Sequence, residues 1–424
     1  MKFLKKSDSQ IEHLIAKEQK RQKEQLQMIP SENYASKNVM KAVGSVFMNK
    51  YSEGQIGKRY YQGNKIIDEV ETLCKKRALK AFGLDPAIWS VNVQALSGTP
   101  ANLAVETALL EPGEKILAMY LYDGGHLSHG WMYKEKKITF TSKVFNIVYY
   151  HVDPETKVFN YSEIEKIALK EKPKLIISGG TAYPREINYK RMKNIAKKAG
   201  AYYLSDIAHE AGLVSAGANK SPFPYADVVT MTTHKTLRGP RGALIFSKKE
   251  LTERIDKAVF PGLQGGPHNH TIAGIAVCLS EALKPSFKKY ARQVVENAQT
   301  LAKEFVRFGY DVVSGGTDKH LVLVDLRNKS LSGKTVAVAL EEANIIVNAN
   351  TVPFDTASPM NPSGLRMGTP AITTRGMKKK EMKKIAGWMH KIIVECANLP
   401  KPDKEEKKIA KEVSSFSQKF PSEF

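Results

Sequence analysis

One lysine of this chain stands where a reactive amine is expected. Lys235 follows the apolar, β-branched run 226–231 and precedes a turn that contains Gly239, Pro240 and Gly242. The run predicts a buried strand, and the glycines and proline exclude a helix directly after it. Ligands bind at the carboxyl ends of strands in α/β sheets, and partial burial favours the neutral, nucleophilic amine. Lys235 is therefore a candidate for a Schiff base with a carbonyl cofactor such as pyridoxal phosphate. The alternatives are a solvated loop lysine or a phosphate contact.

A candidate anion site precedes a predicted helix. Ser97, Gly98 and Thr99 come before Pro100 and the helical run ANLAVETALL. Backbone N–H groups and the positive end of the helix dipole favour a phosphate there, and proline suits the first helical turn. The alternative is a plain N-cap without a ligand.

A carboxylate ends another predicted strand. Asp206 follows the run 202–205 and could keep a pyridinium nitrogen protonated, which would make the cofactor ring an electron sink. An N-cap, or a metal site with His209, are alternatives. His126, held between glycines, could instead stack on an aromatic ring. Metal-ligand possibilities also arise at His126 and His129 in GGHLSHG and at His268 and His270 in GGPHNHT. No metal site is predicted, because these pairs lie among glycines and lack an HExxH or cysteine pattern.

Length and composition predict two globular domains. The chain has 424 residues, of which 42% are hydrophobic, and no apolar run approaches a membrane span. The three cysteines match neither a disulfide framework nor a zinc set, and the N-terminus lacks the pattern of a secretory signal, so we expect a cytoplasmic protein. The formal charge of +22 is spread out, and without a nucleic-acid motif we expect no nucleic-acid partner.

The elements that position these residues are predicted from hydrophobic patterns. Short buried strands are predicted at 116–119, 175–178, 202–205, 228–231 and 243–246, with a helix at 187–199. This alternation is typical of a βαβ sheet. The C-terminal third predicts helices at 286–308 and 335–343 and strands at 321–326 and 345–347, which indicates a smaller α+β domain. The tail after Pro400 is expected to be frayed.

These motifs, in this order, resemble the serine hydroxymethyltransferase family, whose members are pyridoxal-phosphate enzymes of the aspartate-aminotransferase fold type. The resemblance extends from about residue 28 to residue 376. Its segments are IPSENYAS from Ile29, NKYSEG from Asn49, GKRYY from Gly57, VNVQALSGTPAN from Val91, GGHLSHG from Gly124, AYPREI from Ala182, DIAHEAGL from Asp206, TTHKTLRGPRG from Thr232, FPGLQGGPHNHTIAG from Phe260 and SGLRMGTPA from Ser363.

The resemblance implies an α/β fold of type I, with a mostly parallel central sheet flanked by helices and a smaller C-terminal α+β domain. We expect an N-terminal helical arm over 1–30, a large cofactor domain over 31–280 and a small domain over 281–424. It also implies the reversible conversion of serine and tetrahydrofolate to glycine and 5,10-methylenetetrahydrofolate, through an aldimine of pyridoxal phosphate. A homodimer, which could pair into a tetramer, is expected.

The same resemblance implies roles for the cofactor residues. Lys235 would carry the cofactor, Asp206 would pair with its ring nitrogen, and His126 would stack on the ring. Thr181 and His209 would contact the region of the phenolic oxygen. The phosphate would be held by Ser97, Gly98, Thr99 and His234, and across a dimer interface by Gly265, Gly266 and the neighbouring chain's Tyr51.

Substrate residues follow from the resemblance as well. Ser31 and Arg366 would bind the amino-acid carboxylate, for which a guanidinium is a suited donor. Glu53 would transfer a proton near the serine hydroxyl, and Tyr61 would assist there. Residues lining the tetrahydrofolate site would be Leu121, Gly125 and Asn350, with Arg241 supporting the active site from behind.

Three positions depart from the family pattern. Gln55-Ile56 replaces tyrosine-proline, Gln62 replaces glycine, and Thr181 replaces serine. Gln55-Ile56 lies in the loop between Glu53 and Tyr61, and Gln62 directly follows Tyr61, so both departures affect the expected substrate loop. Two other functions are disfavoured by the residues. Glu53, Leu121, Gly125 and Asn350 argue against a related pyridoxal-phosphate aldolase that acts on threonine-like amino acids without folate, and Lys235, Asp206 and Arg366 argue against an inactive basic protein that binds RNA.

Overall fold

The computed structural model describes residues 7–398 and 404–420. Its main sheet has seven strands, which in chain order are β1 (Trp89–Asn92), β2 (Lys115–Met119), β3 (Asn146–Tyr150), β4 (Leu175–Ser178), β5 (Tyr202–Asp206), β6 (Val228–Thr232) and β7 (Ala243–Lys248). Their order across the sheet is β1-β7-β6-β5-β4-β2-β3. Only β7 runs antiparallel to its neighbours. The mostly parallel α/β sheet predicted from the sequence is confirmed.

Fifteen α-helices surround the strands in the described part of the chain. They are α1 (Ser9–Glu24), α2 (Lys37–Val43), α3 (Lys65–Ala81), α4 (Gly98–Leu109), α5 (Phe140–Val144), α6 (Tyr161–Glu171), α7 (Tyr189–Ala199), α8 (Ala211–Ser215), α9 (Thr252–Lys257), α10 (Asn269–Ala282), α11 (Pro285–Arg307), α12 (Gly333–Glu342), α13 (Pro370–Thr374), α14 (Lys379–Asn398) and α15 (Lys404–Ser417). None of the helices described is long and apolar enough to cross a membrane.

The strands that carry candidate site residues form because their side chains are buried on both faces. Every residue of β4 and β6 is buried, and both read as continuous apolar or β-branched runs, as expected of covered parallel strands. All five strands predicted for this region are present. The sequence-based prediction missed β1 and β3, the two edge strands.

A second sheet lies in the C-terminal third. It contains β8 (Asp311–Val312), β9 (Leu321–Asp325), β10 (Asn348–Asn350) and β11 (Gly364–Gly368) in the order β8-β9-β11-β10, all antiparallel. The predicted helices at 286–308 and 335–343 correspond to α11 and α12. The predicted strand at 345–347 is shorter, and Ile345–Ile346 pairs with Leu26–Gln27 instead of joining this sheet. Two further two-stranded ribbons pair Gly54–Gln55 with Lys58–Arg59 and Met132–Tyr133 with Lys136–Lys137.

The expectation of a frayed tail after Pro400 is wrong for the described residues 404–420. Helix α15 is amphipathic, and it buries Ile409 and Val413 in the core that surrounds the second sheet. These two residues lie four positions apart, and their side chains therefore share one face of the helix. The low apolar content of the tail obscured this spacing.

Candidate active site

The N-terminus of α4 provides an open cradle. Ser97 is its N-cap residue, but the Ser97 side chain makes no capping hydrogen bond. First-turn N–H groups of a helix have no intrahelical acceptor, so they are free for an anion. A Cβ atom at Gly98 would lie 2.7 Å from Thr232 Cγ2, so glycine is required for this close approach to the end of β6. The predicted anion group Ser97, Gly98 and Thr99 therefore lies next to the strand that leads to Lys235.

Lys235 is buried, and no carboxylate of the described residues is within ion-pair distance of its amine. Its side chain lies three residues beyond β6 and is 7% exposed. The Lys235 amine makes no hydrogen bond or ion pair with any residue in the described part of the chain. Burial lowers the pKa of Lys235 to about 8; Asp206 opposes this shift, and the cations Arg366 and Arg241 add to it. An appreciable minority of the amine is therefore neutral, and nucleophilic, near neutral pH, far more than for an ordinary lysine.

Asp206, the last residue of β5, is held as a carboxylate by three donors. Asn102 Nδ2 donates to its Oδ2 at 2.8 Å, His129 Nε2 donates to the same oxygen at 3.1 Å, and Ala208 N donates to Oδ1 at 2.9 Å. Burial would raise the pKa of Asp206, but the hydrogen bonds and the nearby histidines hold it well below its usual value. A buried carboxylate that stays ionised is suited to pairing with a protonated ring nitrogen.

His126 lies beside this carboxylate. Burial, and then His129, lower the pKa of His126 to about 4, so its ring is neutral. One potential ligand atom from each of His126, His129 and Asp206 lies within 4.8 Å of the others. His209, the other metal alternative for Asp206, instead contacts Thr181 and His320.

Arg366, on β11, is a buried guanidinium that lacks an acidic partner. Its Nη1 donates to Thr181 O at 2.7 Å and to Thr181 Oγ1 at 3.0 Å, and its Nε donates to Asn348 Oδ1 at 3.1 Å. Nη2 has no hydrogen bond with any described residue. Burial lowers the pKa of Arg366 to about 10, and no carboxylate offsets the shift. Thr181 Oγ1 also lies 3.0 Å from His209 Nε2, so these three predicted residues are in direct contact.

Ser31, His234 and Arg241 line one cavity of about 360 Å³. Arg241 Nη1 lies 3.3 Å from His234 Nε2, which must act as the acceptor. In the neutral ring the proton is then on Nδ1, a buried atom that has no hydrogen-bond partner among the described residues. Burial lowers the pKa of His234 to about 3, and Arg241 adds to the shift.

A second group of predicted residues lies apart from the first. Tyr51 donates to Glu53 Oε1 at 2.8 Å, and the Tyr51 and Tyr61 rings meet edge to face at 5.0 Å. A Cβ atom at Gly266 would lie 2.8 Å from Tyr51 Cε2, and one at Gly265 would lie 3.2 Å from Glu53 Oε1. Tyr51 and Tyr61 are 51% and 45% exposed. Among the described residues, no hydrogen bond or ion pair joins this group directly to Lys235, Asp206 or Arg366.

The predicted folate residues lie on two segments. Leu121 begins a short 3-10 turn after β2, and a Cβ atom at Gly125 would lie 2.3 Å from Met119 O, so the chain needs glycine there. The loop is tied to the site because Thr181 N donates to Gly124 O at 2.7 Å. Asn350 is on β10, two residues from the Asn348 that contacts Arg366, and its side chain donates to Thr351 O at 2.7 Å.

The sequence-based prediction missed several residues that support the site. Asn102 holds Asp206, His320 contacts His209, Asn348 contacts Arg366, and Asn33 donates to Lys235 O at 2.9 Å. Asn102 lies four residues after Gly98 on a predicted helix, which was a usable signal. The others come from segments 111 to 202 residues away from their partners along the chain, or from a neighbouring strand, and the sequence carried no local signal for them.

Comparison with known proteins agrees with this arrangement. A family model described as serine hydroxymethyltransferase matches residues 4–389. Serine hydroxymethyltransferase of Acidothermus cellulolyticus is 48% identical over 98% of the chain and 96% of that protein. The cytosolic enzyme of Oryctolagus cuniculus is 50% identical over 92% of the chain and 83% of its own length, and the Caenorhabditis elegans enzyme is 50% identical over 91% and 78%. This chain therefore belongs to the serine hydroxymethyltransferase family of pyridoxal-phosphate-dependent transferases, which use tetrahydrofolate as co-substrate.

Proposed function

We propose that the residues around Lys235 form the pyridoxal-phosphate site of this transferase, and that Arg366 receives the carboxylate of its amino-acid substrate. One observation carries the proposal. The buried amine of Lys235 and the buried guanidinium of Arg366 both lack an anionic partner among the described residues. Burying unpaired charge is costly, so a fold that retains both groups, with Arg366 near enough to lower the pKa of Lys235, is prepared for an anionic ligand.

The residues present fit the cofactor. The open α4 cradle at Ser97, Gly98 and Thr99 suits a phosphate. The Nδ1–H of His234, which directly precedes Lys235 in the sequence and has no partner among the described residues, is a further donor. The ionised Asp206 suits a pyridinium nitrogen, and the neutral ring of His126 suits a stacking position. Thr181 and His209 would contact the phenolic oxygen, with Arg241 behind His234.

When bound, pyridoxal phosphate supplies an electron-withdrawing ring that stabilises negative charge on the amino-acid α-carbon. The chain's own residues do the rest. Asp206 keeps the ring nitrogen protonated because its carboxylate stays ionised. Lys235, with its pKa lowered to about 8, supplies a nucleophilic amine and can exchange a proton near neutral pH. Arg366 orients the substrate through a charge-assisted hydrogen bond from Nη2, joined by Ser31.

Glu53 is the proton-transfer group of the proposal, and Tyr61 assists it. A carboxyl group placed near the serine hydroxyl can exchange a proton as the one-carbon unit leaves. The 2.8 Å hydrogen bond from Tyr51 orients the carboxyl group before substrate binds. Leu121, Gly125 and Asn350 would line the tetrahydrofolate site, near the loop that Thr181 anchors.

The two groups of site residues belong, in our proposal, to one composite site made by two copies of the chain. Tyr51, Glu53, Tyr61, Gly265 and Gly266 lie together on an exposed part of the chain without a direct bond to the Lys235 group. A homodimer would bring this group of one copy to the Lys235 group of the other, with Tyr51, Gly265 and Gly266 completing the phosphate site. We also propose a cytoplasmic location, as for the cytosolic rabbit relative, and the three domains expected at 1–30, 31–280 and 281–424.

Removal of the Lys235 amine tests the proposal. Lys235→Ala should purify without visible cofactor absorbance that borohydride fixes to the protein, because a methyl group cannot form the covalent tether. In the wild-type protein, borohydride reduction followed by peptide mass analysis should place the cofactor on Lys235. Lys319 is an internal control, since it is as buried but is ion-paired to Glu210 at 2.5 Å. A reduced adduct retained by Lys235→Ala, or found on Lys319, would contradict the assignment.

A further inference from the structure

The side-chain amide of Asn102 has only one orientation that its surroundings allow. Thr230 Oγ1 donates to Asn102 Oδ1 at 2.7 Å. On the other side, Asn102 Nδ2 lies 2.8 Å from Asp206 Oδ2 and 2.8 Å from Ser128 Oγ. A rotated amide would turn its oxygen toward the Asp206 carboxylate, which would set two acceptors against each other. Asn102 is 1% exposed, so no solvent could relieve that repulsion.

The direction of the next hydrogen bond follows from this orientation. Ser128 Oγ accepts from Asn102 Nδ2, and it lies 2.8 Å from His126 Nδ1. The Asn102 amide cannot accept the Ser128 proton, whereas His126 Nδ1, which already accepts from the Ser128 backbone N–H, can accept it, so the Ser128 O–H donates to His126. The Ser128 backbone N–H donates to the same nitrogen at 3.2 Å. His126 Nδ1 therefore faces two donors and must be unprotonated.

We propose that Asn102 and Ser128 are positioning residues which hold His126 as the neutral imidazole with its proton on Nε2. Neither has a role among the predicted site residues, and both act through His126 and not on the substrate. Nε2 makes no hydrogen bond with a described residue, so its proton is left for a hydrogen-bond acceptor of the bound ligand or for solvent. The inference deepens the proposed cofactor site, and it rests on that proposal for the role of His126.

Helix α4 connects the Asn102–Ser128–His126 hydrogen bonds to the rest of the proposed site. Asn102 lies one turn beyond the Gly98 cradle. One further turn along, the buried Glu106 accepts from Thr141 Oγ1 at 2.7 Å, and that hydroxyl also lies 3.2 Å from Ser128 O. The loop that carries His126 is thus fastened to one helix at two successive turns. Because the same Asn102 amide donates to Asp206, the orientations of the stacking ring and of the carboxylate are set by one group.

Nitrogen NMR of the cofactor-free protein can measure the proton position directly. The chain has ten histidines, so selective ¹⁵N-histidine labelling gives a small set of signals, and His126→Gln identifies the one from His126. Wild type should show a protonated Nε2 and an unprotonated, hydrogen-bonded Nδ1. Ser128→Ala should shift the Nδ1 signal and populate the form protonated on Nδ1, because only the weaker backbone donor remains. Ser128→Thr, which keeps the hydroxyl, should restore the wild-type pattern.

Two further variants make the test specific. Ser142→Ala removes a buried hydroxyl nearby, whose partner is Thr139 O at 2.8 Å, and should leave the His126 signals unchanged. Asn102→Ala should shift the His126 signals in the same direction as Ser128→Ala, and the double variant should add little, since the two residues act in series. A wild-type proton on Nδ1, or unchanged signals in Ser128→Ala, would overturn the proposal. Failure of Lys235 to bind cofactor would leave these signals as expected, so the two proposals fail separately.

Discussion

The buried ionisable residues of the candidate site differ in whether the protein supplies them with hydrogen-bond or ion-pair partners. The Asp206 carboxylate is buried with three hydrogen-bond donors, which offset the cost of removing it from water. Lys235 and Arg366 are as buried, yet neither has an acidic partner among the described residues. Asp206 must therefore remain ionised before any ligand binds, and its donors ensure this. The protonation states of Lys235 and Arg366 are instead suited to contact with a ligand, as a neutral amine and as a cation, respectively.

The geometry at Arg366 predicts that lysine cannot replace it. Arg366→Lys keeps the positive charge, but its single nitrogen cannot occupy both the Nη1 position that donates to Thr181 and the Nη2 position proposed for the substrate carboxylate. Charged hydrogen bonds contribute about 1.5–3 kcal/mol each, so serine affinity should fall roughly tenfold or more. A titration with serine, followed by visible absorbance, measures this, and cofactor content should stay near wild type. Arg307→Lys, an exposed change at the end of α11, is the matched control. Unchanged serine affinity in Arg366→Lys would refute the role.

Glu53 should act in turnover and not in serine binding. Glu53→Gln preserves the shape of the side chain and its contact with Tyr51 but removes the exchangeable proton. General acid–base groups contribute about 10²–10⁴-fold in rate, so formation of methylenetetrahydrofolate should fall by that range. The spectral response to serine should remain nearly normal. Near-normal product formation would show that Glu53 is not the proton-transfer group, and loss of serine binding alone would make it a binding residue.

At the scale of elements, the ribbon after Glu53 is fastened by a buried ion pair. Arg59 Nη2 lies 2.6 Å from Glu71 Oε2 on α3, and the two side chains are 4% and 0% exposed. Arg59 also donates to Asp68 at 2.8 Å and to the backbone oxygens of Ser52 and Gly54, on either side of Glu53. The departures Gln55-Ile56 and Gln62 therefore lie on a loop whose ends are fixed independently of those residues.

Loss of the buried Arg59–Glu71 ion pair should reduce the free energy of unfolding. Arg59→Met leaves the Glu71 carboxylate buried and unpaired apart from Lys75 at 3.5 Å. Breaking a buried pair by removing one partner costs about 3–5 kcal/mol, and we expect the lower part of this range because Lys75 remains. The midpoint of urea unfolding measures the loss. Lys75→Met, which removes the more exposed cation, should cost less than about 1 kcal/mol. Equal midpoints for Arg59→Met and wild type would be inconsistent with a structural role for the pair.

The sequence predicts the elements with strong local patterns and not those made by distant pairing. Strands β4, β5 and β6 read correctly because they are buried on both faces. Edge strands β1 and β3 carry polar or partly exposed residues, such as Ser90 and Asn146, and lack that signal. The pairing of Leu26 with Ile345 joins residues more than 300 positions apart, which no local pattern encodes. In the same way, motifs located Asp206, His126 and His209, but only the fold showed that Asn102, Ser128 and His320, respectively, contact them.

At the scale of the whole molecule, two hydrophobic cores share one helix. Phe287 and Tyr290 of α11 belong to the core around the main sheet, whereas Leu301 and Phe305 belong to the core around the second sheet. Leu26 and Met28, from the segment expected to be an N-terminal arm, also pack in the second core. Arg366 from the second sheet then meets Thr181 from the main sheet at 2.7 Å. The proposed substrate site therefore lies where the main sheet and the second sheet meet.

The composite site proposed for two copies of the chain predicts complementation. Chains with Lys235→Ala and chains with Glu53→Gln should each be nearly inactive alone. If one site takes Lys235 from one copy and Glu53 from the other, a mixed dimer has one intact site. Random assortment would make half of the dimers mixed, so about a quarter of wild-type activity should return.

A matched mixture separates this arrangement from a site contained in one chain. Lys235→Ala and Asp206→Asn change two residues that lie in the same group of one chain, so every site in their mixed dimers lacks one of the two. That mixture should stay inactive. Differently tagged chains, co-purified through both tags, show that mixed dimers are present in each case. Recovery in the Lys235→Ala and Glu53→Gln mixture alone requires a site shared between copies. We expect this result because, among the described residues, no hydrogen bond or ion pair joins the exposed group at Tyr51 and Glu53 to Lys235 within one chain. Tagged mixed dimers without recovery would place Glu53 and Lys235 in one chain's site.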